Sequence, residues 1–180
     1  VNFLVNTILV TSALYLFLVT SKEFLIKGIN NLAQNLAHFG FSLLILSILF
    51  NNFFSTEVIT NLKIGETFKS EKIHITFESI EKKEIKNYSS IIGKININDP
   101  KGFNQTLEPE LRIYNQPNIV TSEADIKTNL FSDKFITMNL VQNQDYFNIR
   151  YQIKPFMIWI WLSVLLICSG GLISLFRKKI

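Results

Sequence analysis

Three stretches of the chain are continuously apolar and uncharged, Val1 to Thr20, Leu32 to Phe54 and Phe156 to Phe176, while the long segment between the last two switches to alternation of period two. At about 1.5 Å of rise per residue, a run of roughly 20 apolar residues crosses a hydrocarbon layer about 30 Å thick. The pattern therefore predicts three transmembrane helices. In the middle segment KIHITFESI, IIGKINI, FITMNLV and YFNIRYQI read as strands, punctuated by Lys101-Gly102 and Gln116-Pro117. The predicted fold is a membrane α-helical protein with an extramembrane all-β domain, a small β-sandwich or barrel inserted between helices two and three. Residues 1–54 form the first two helices with a short loop, 55–154 the β-domain, and 155–180 the last helix with its basic tail.

Local signals refine these elements. The first helix closes on Ser21, Lys22 and Glu23, and Gly28 with Asn30 and Asn31 suits a turn. Pro155 fits a helix start, where its missing donor costs nothing. Trp159 and Trp161 follow at the depth where indole rings settle between headgroup and tail. Gly170-Gly171 permits close helix contact, and small Gly40 next to His38 would let a flat partner or another helix approach closely.

Charge fixes an orientation. The formal net charge is +4, yet between Phe53 and Lys154 there are 13 Lys+Arg and 13 Asp+Glu. The surplus sits at Lys22 and Lys27 and at Arg177, Lys178 and Lys179, each beside an apolar run, so it reports membrane orientation and not a nucleic-acid-binding face. The N-terminus and β-domain then lie outside and both basic clusters lie inside. The first run has no basic leader and no small-residue cleavage site, which argues against a signal peptide. The chain opens on Val1, which points to an unusual start or to a piece of a longer protein. The lone Cys168 excludes an intrachain disulfide and is expected as a buried packing thiol.

Candidate chemistry is sparse. No charged residue occurs from Gly28 to Thr56, and within that run stands one imidazole, His38, which shares a helix face with Phe41, Ile45 and Leu49. An ionisable group there costs several kcal/mol, roughly, unless it faces protein, water or a ligand. Two readings stay open, a hydrogen bond between helices and a ligand role. In KIHITF, His74 points away from Ile73, Ile75 and Phe77 and is expected to be solvated. Glu110, Arg112 and Tyr114 share one side of a strand, an ion pair beside a tyrosine that suits either a surface role or a docking edge. There is no nucleophile with a base partner, no P-loop and no paired carboxylate.

The order of AHFGFSLLILSI (Ala37 to Ile48), LEPELRIYNQPNIVTSEADIKTNLFSDKFITM (Leu107 to Met138) and IKPFMIWIWLSVLLICSGGLISLF (Ile153 to Phe176) resembles the C-terminal part of the CcmF family. These are haem-handling membrane proteins of the multi-subunit cytochrome c maturation pathway. The resemblance implies cytochrome c-type biogenesis, as the membrane haem-binding part of the holocytochrome c synthase (haem lyase) complex that attaches haem to apocytochrome c. This fragment is not expected to be catalytic alone. It also implies haem b as cofactor, with His38 as an axial ligand to the haem iron. The implied partners are the remainder of the CcmF chain or its N-terminal homologue, other maturation subunits including the haem chaperone and the apocytochrome-binding subunit, apocytochrome c and the lipid membrane. The implied location is a bacterial inner membrane, with a mitochondrial one as the alternative, the β-domain in the periplasm and the C-terminus in the cytoplasm. Asp133-Lys134-Phe135 stands where the family commonly has Asp-Leu-Tyr. A different class of reading is a non-catalytic membrane scaffold whose β-domain only docks other subunits or apocytochrome.

Overall fold

The structure, a computed structural model, describes residues 2–27, 31–71, 73–98, 104–141 and 145–176. The turn residues Gly28 and Asn30, the Lys101-Gly102 pair and the basic Arg177-Lys178-Lys179 cluster lie outside the described residues. Two compact units are present, one of Val1–Ser55, Asn129–Ser132 and Lys154–Ile180, the other of Thr56–Thr128 and Asp133–Ile153.

Among the described residues the first unit holds three helices, α1 (Asn2–Lys27), α2 (Leu32–Phe54) and α3 (Met157–Phe176), each long and apolar enough to cross a membrane. Helix α1 runs past Ser21, Lys22 and Glu23, where the sequence predicts its end. Phe24, one turn beyond, packs on Phe39 of α2 with ring centroids 5.7 Å apart, alongside Phe17 at 5.6 Å, so the extra turn is held by its own contact. Thr20 and Ser42 share a buried hydrogen bond of 2.7 Å across the same pair of helices.

Contact between α2 and α3 rests on missing side chains. A Cβ on Gly170 would stand 2.7 Å from the carbonyl oxygen of Ala33 and 2.8 Å from the Ala37 nitrogen, and one on Gly40 would stand 3.0 Å from Ser163 O. Gly40 therefore serves α3, not the imidazole beside it in sequence. Gly171 would meet nothing within 4 Å, so one glycine of the pair makes the close approach. Cys168, expected inside, is exposed on α3. The helix meets α2 through Ser163, Leu166, Ile167 and Gly170, and Cys168 falls on another face.

Pro155 ends the last strand and Phe156 adopts φ 61° before α3 begins at Met157. This left-handed residue is held on both sides of its peptide. Asn51 Nδ2 donates to Pro155 O at 2.6 Å, and the Phe156 N–H donates to Phe131 O at 2.8 Å.

Among the described residues the second unit holds ten strands. They are β1 (Thr56–Leu62), β2 (Thr67–Lys69), β3 (His74–Ile85), β4 (Tyr88–Asn98), β5 (Asn104–Leu107), β6 (Glu110–Asn115), β7 (Asn118–Glu123), β8 (Asp125–Thr128), β9 (Ser132–Leu140) and β10 (Phe147–Pro155). One sheet has the order β1-β10-β9-β8, the other β2-β3-β4-β6-β7 with β5 also paired to β4. Alternation supplies the two inner faces, with Ile136, Met138, Ile149 and Tyr151 from the first sheet and Ile75, Phe77, Ile95 and Leu111 from the second. Gly93 lets the sheets close, because a Cβ there would lie 2.7 Å from Met138 Sδ. Gln116-Pro117, in the β6–β7 turn, is cis.

Candidate functional site

Helix α2 has three faces, and its partners divide them. Phe39 and Ser42 meet α1, while Ala33, Ala37 and Gly40 meet α3. The remaining stripe, at i, i+4, i+7 spacing, carries Gln34, His38, Phe41 and Ile48, all exposed, with Ile45 half-buried between them. The buried polar residues of the helix, Asn35, Ser42 and Ser47, look into the bundle, whereas its one ionisable group looks out. Among the described residues none accepts or donates a hydrogen bond to His38.

That division bears on what the imidazole can do. His38 makes no packing hydrogen bond to the three helices among the described residues, so the open reading of His38 as a bond between its own helices has no partner here. An outward imidazole facing bare lipid is unfavourable. Its surroundings are graded, with polar Asn31 and Gln34 towards one end and Phe41 and Ile48 towards the other. An open cleft of about 360 Å³ continues this polar end, lined by Asn31, Gln34, Ala37, Gly170 and Ser174. An imidazole nitrogen flanked by apolar side chains is the donor type an axial haem ligand requires, so the residues present fit that group. Only one axial donor of this kind is on the helices, since the chain's other histidine, His74, is on β3.

In the β unit His74 alternates with buried Ile73 and Ile75, as expected, but is itself half-buried. It pairs in register with Asn98 on one side and Lys69 on the other, and strands on both flanks cover part of the ring. The Glu110–Arg112 pair is present at 2.9 Å and partly buried, with Glu123 at 3.7 Å from the second guanidinium nitrogen. Arg112 holds the Glu110 carboxyl below the ordinary carboxylate range through this hydrogen bond, with burial opposing, and the carboxylate in turn raises the guanidinium. Tyr114 stacks on Tyr88 with centroids 5.2 Å apart, and Arg112 lies 5.3 Å over the Tyr88 ring. Sequence reasoning missed Tyr88 and Glu123. Their signal lies in the register, which sets Tyr88 opposite Tyr114 and Glu110 opposite Glu123.

A family model described as the CcmF C-terminal beta-sandwich matches residues 53–155, more than half of the chain. The chain belongs to the CcmF family. Its sequence is 25% identical over 146 residues to the cytochrome c-type biogenesis protein CcmF of Pseudomonas aeruginosa, covering 81% of this chain and 22% of that one. It is 30% identical over 123 residues to the cytochrome c-type biogenesis protein ccl1 of Rhodobacter capsulatus, covering 68% and 19%. A solved cytochrome c haem lyase CcmF shares the fold with a TM-score of 0.71 at 17% identity, over 94% of this chain and 31% of the other. The chain thus spans about a fifth of the length of these two CcmF relatives. The match to the CcmF sandwich begins at residue 53, so His38 is outside it.

Proposed function

We propose that this chain is the C-terminal portion of a membrane haem-handling component of cytochrome c-type biogenesis, and that His38 supplies one axial nitrogen to a b-type haem within the membrane. The observation that carries this reading is the outward-facing imidazole on α2, the one ionisable group on a face that neither α1 nor α3 covers. Membership of the CcmF family supports it, because relatives named for cytochrome c biogenesis and haem lyase activity provide the chemistry that such a group would serve.

When bound, haem supplies one-electron transfer and an iron centre whose ligands set its potential. The chain's own residues do the rest. His38 donates a ring nitrogen. Phe41, Ile45 and Ile48 give the flank an apolar wall that excludes water, and Gln34, one turn away, offers an amide beside the imidazole. The helix that carries them is held from behind by the Thr20–Ser42 hydrogen bond and by the close approaches at Gly40 and Gly170. A fixed backbone matters because joining two bound partners depends on orientation.

Basic residues on one side of the spans support an orientation with Lys22, Lys27 and Arg177 to Lys179 in the cytoplasm and the sandwich in the periplasm of a bacterial inner membrane. The rest of a CcmF chain, the haem chaperone, the apocytochrome-binding subunit and apocytochrome c are the partners that this reading proposes. The scaffold reading is favoured by one feature, the Arg112, Tyr88 and Tyr114 cluster on the sandwich, which suits docking.

The experiment is optical. The chain is produced together with the remainder of the CcmF protein, purified in detergent, and its reduced-minus-oxidised spectrum is compared with that of His38→Ala. Loss of the b-type bands in the variant supports the proposal. A colourless wild-type assembly supports the scaffold, and an unchanged spectrum in His38→Ala removes the ligand role.

A further inference from the structure

We propose that the turn between β8 and β9, residues 129–132, is an interfacial foot that sets Leu130 and Phe131 into the lipid leaflet beside the first turn of α3. Two adjacent large apolar side chains, Leu130 at 55% and Phe131 at 64% exposed, project from a turn that carries no charge. Water-facing turns are normally built from polar residues, and only Asn129 and Ser132, at its base, fit that description.

The base is wired so that the tip can leave water. Asn129 Oδ1 accepts from the Phe131 and Ser132 N–H groups at 2.9 and 2.8 Å, and the Asn129 N–H donates to Ser132 O at 3.0 Å. The two tip carbonyls are also used. Trp159 Nε1 donates to Leu130 O at 2.9 Å, and the Phe156 N–H donates to Phe131 O at 2.8 Å. Backbone groups satisfied in this way lose little on entering a poorly hydrated layer, whereas unpaired ones would cost several kcal/mol each, roughly.

The occupant follows from what the turn is attached to. Residues 129–132 belong to the same compact unit as the three spans. Both bonds that anchor the tip come from the start of α3, and one comes from an indole, the ring that partitions to the headgroup–acyl boundary. Trp161, two residues on, is 65% exposed. The apolar surface of the tip is therefore continuous with the lipid-facing surface of a membrane span, and the bilayer interface is the partner that meets both. This inference does not depend on the haem reading.

Depth measurement tests it. In the full protein reconstituted into phosphatidylcholine vesicles, with Cys168→Ala removing the native thiol, Leu130→Cys and Phe131→Cys are each spin-labelled. Their accessibility to oxygen, which concentrates in lipid, is compared with accessibility to a water-soluble nickel chelate. Lys82→Cys on β3 provides the aqueous reference and Leu165→Cys on α3 the lipid reference. The expected result is an oxygen-to-nickel ratio several-fold above that at Lys82 and approaching that at Leu165. Nickel accessibility equal to that at Lys82 overturns the proposal, as does shielding from both reagents, which would mean that a protein partner covers the tip. Because both labels replace exposed side chains, a folding defect in one leaves the other position readable.

Discussion

The two adjacent glycines of α3 offer a sharp test of how the helices pack. Gly170→Ala places a Cβ 2.7 Å from the Ala33 carbonyl oxygen, 2.8 Å from the Ala37 nitrogen and 3.1 Å from the Ala37 Cβ. Two of those three atoms are backbone, so neither can rotate away, and α2 and α3 must separate by several tenths of an ångström. Overpacking of this kind costs about 1–3 kcal/mol. Gly171→Ala meets nothing within 4 Å and gains up to about 1 kcal/mol of helix propensity. Because the propensity gain is common to both substitutions, the two alanines should differ by the overpacking alone, about 1–3 kcal/mol, although they are neighbours with the same composition. Both tryptophans of the chain, Trp159 and Trp161, are on α3, so tryptophan emission during an SDS titration in detergent follows this helix selectively. Equal midpoints for the two variants would refute the packing argument.

Other positions carry predictions of their own. Phe77 is fully buried and stacks edge-on against Phe147 at 5.2 Å, so Phe77→Ala should lower the stability of the β unit by about 3–5 kcal/mol. Ile119→Ala on exposed β7 should stay within about 0.5 kcal/mol, both read by denaturant melts. Because Arg112 lowers the folded-state pKa of Glu110, the stabilisation is present above the ordinary carboxylate value of about 4.3. It is lost as pH falls through the lower folded value. Glu110→Gln should flatten stability against pH in that acidic window and leave its slope near neutrality unchanged. A Thr20→Val, Ser42→Ala double-mutant cycle should give a coupling of about 0.6 kcal/mol, typical of hydrogen bonds between membrane helices.

Continuous apolar runs and strict alternation are long-range patterns, and they made the three helices and strands β3, β4, β9 and β10 legible from the residues alone. Short strands were not. β2, β5 and β8 have three or four residues each, too few for a period to register, and they exist because a neighbouring strand offers hydrogen bonds. The end of α1 was misplaced because a charged Lys22-Glu23 pair marks a change in polarity, while the helix continues for as long as Phe24 has Phe39 to pack on.

The site was legible as a residue and not as a direction. Helical spacing grouped His38 with Phe41 and Ile45, but which sectors of α2 its neighbours would occupy depends on Gly170 fitting Ala33 and on Phe39 meeting two rings of α1. Those are pairings between helices, which no single helical wheel contains. Cys168 was misjudged for the same reason, since α3 meets α2 along one face, through Ser163, Leu166, Ile167 and Gly170, and Cys168 lies off it. Likewise, Arg112 could be paired with Glu110 from spacing, whereas Tyr88 and Glu123 reach it only through strand register.

The central claim is that an uncovered face of α2 presents His38 to a haem iron, and the most direct measurement is imidazole rescue. His38→Gly, produced with the remainder of the CcmF protein, should still fold, at a cost of about 1 kcal/mol or less in helix propensity, because the side chain makes no hydrogen bond among the described residues. It should also lose its b-type spectrum. Added imidazole should enter the vacated space and restore the bands in a saturable manner. Full haem content and an unaltered spectrum in His38→Gly before any imidazole is added would contradict the account.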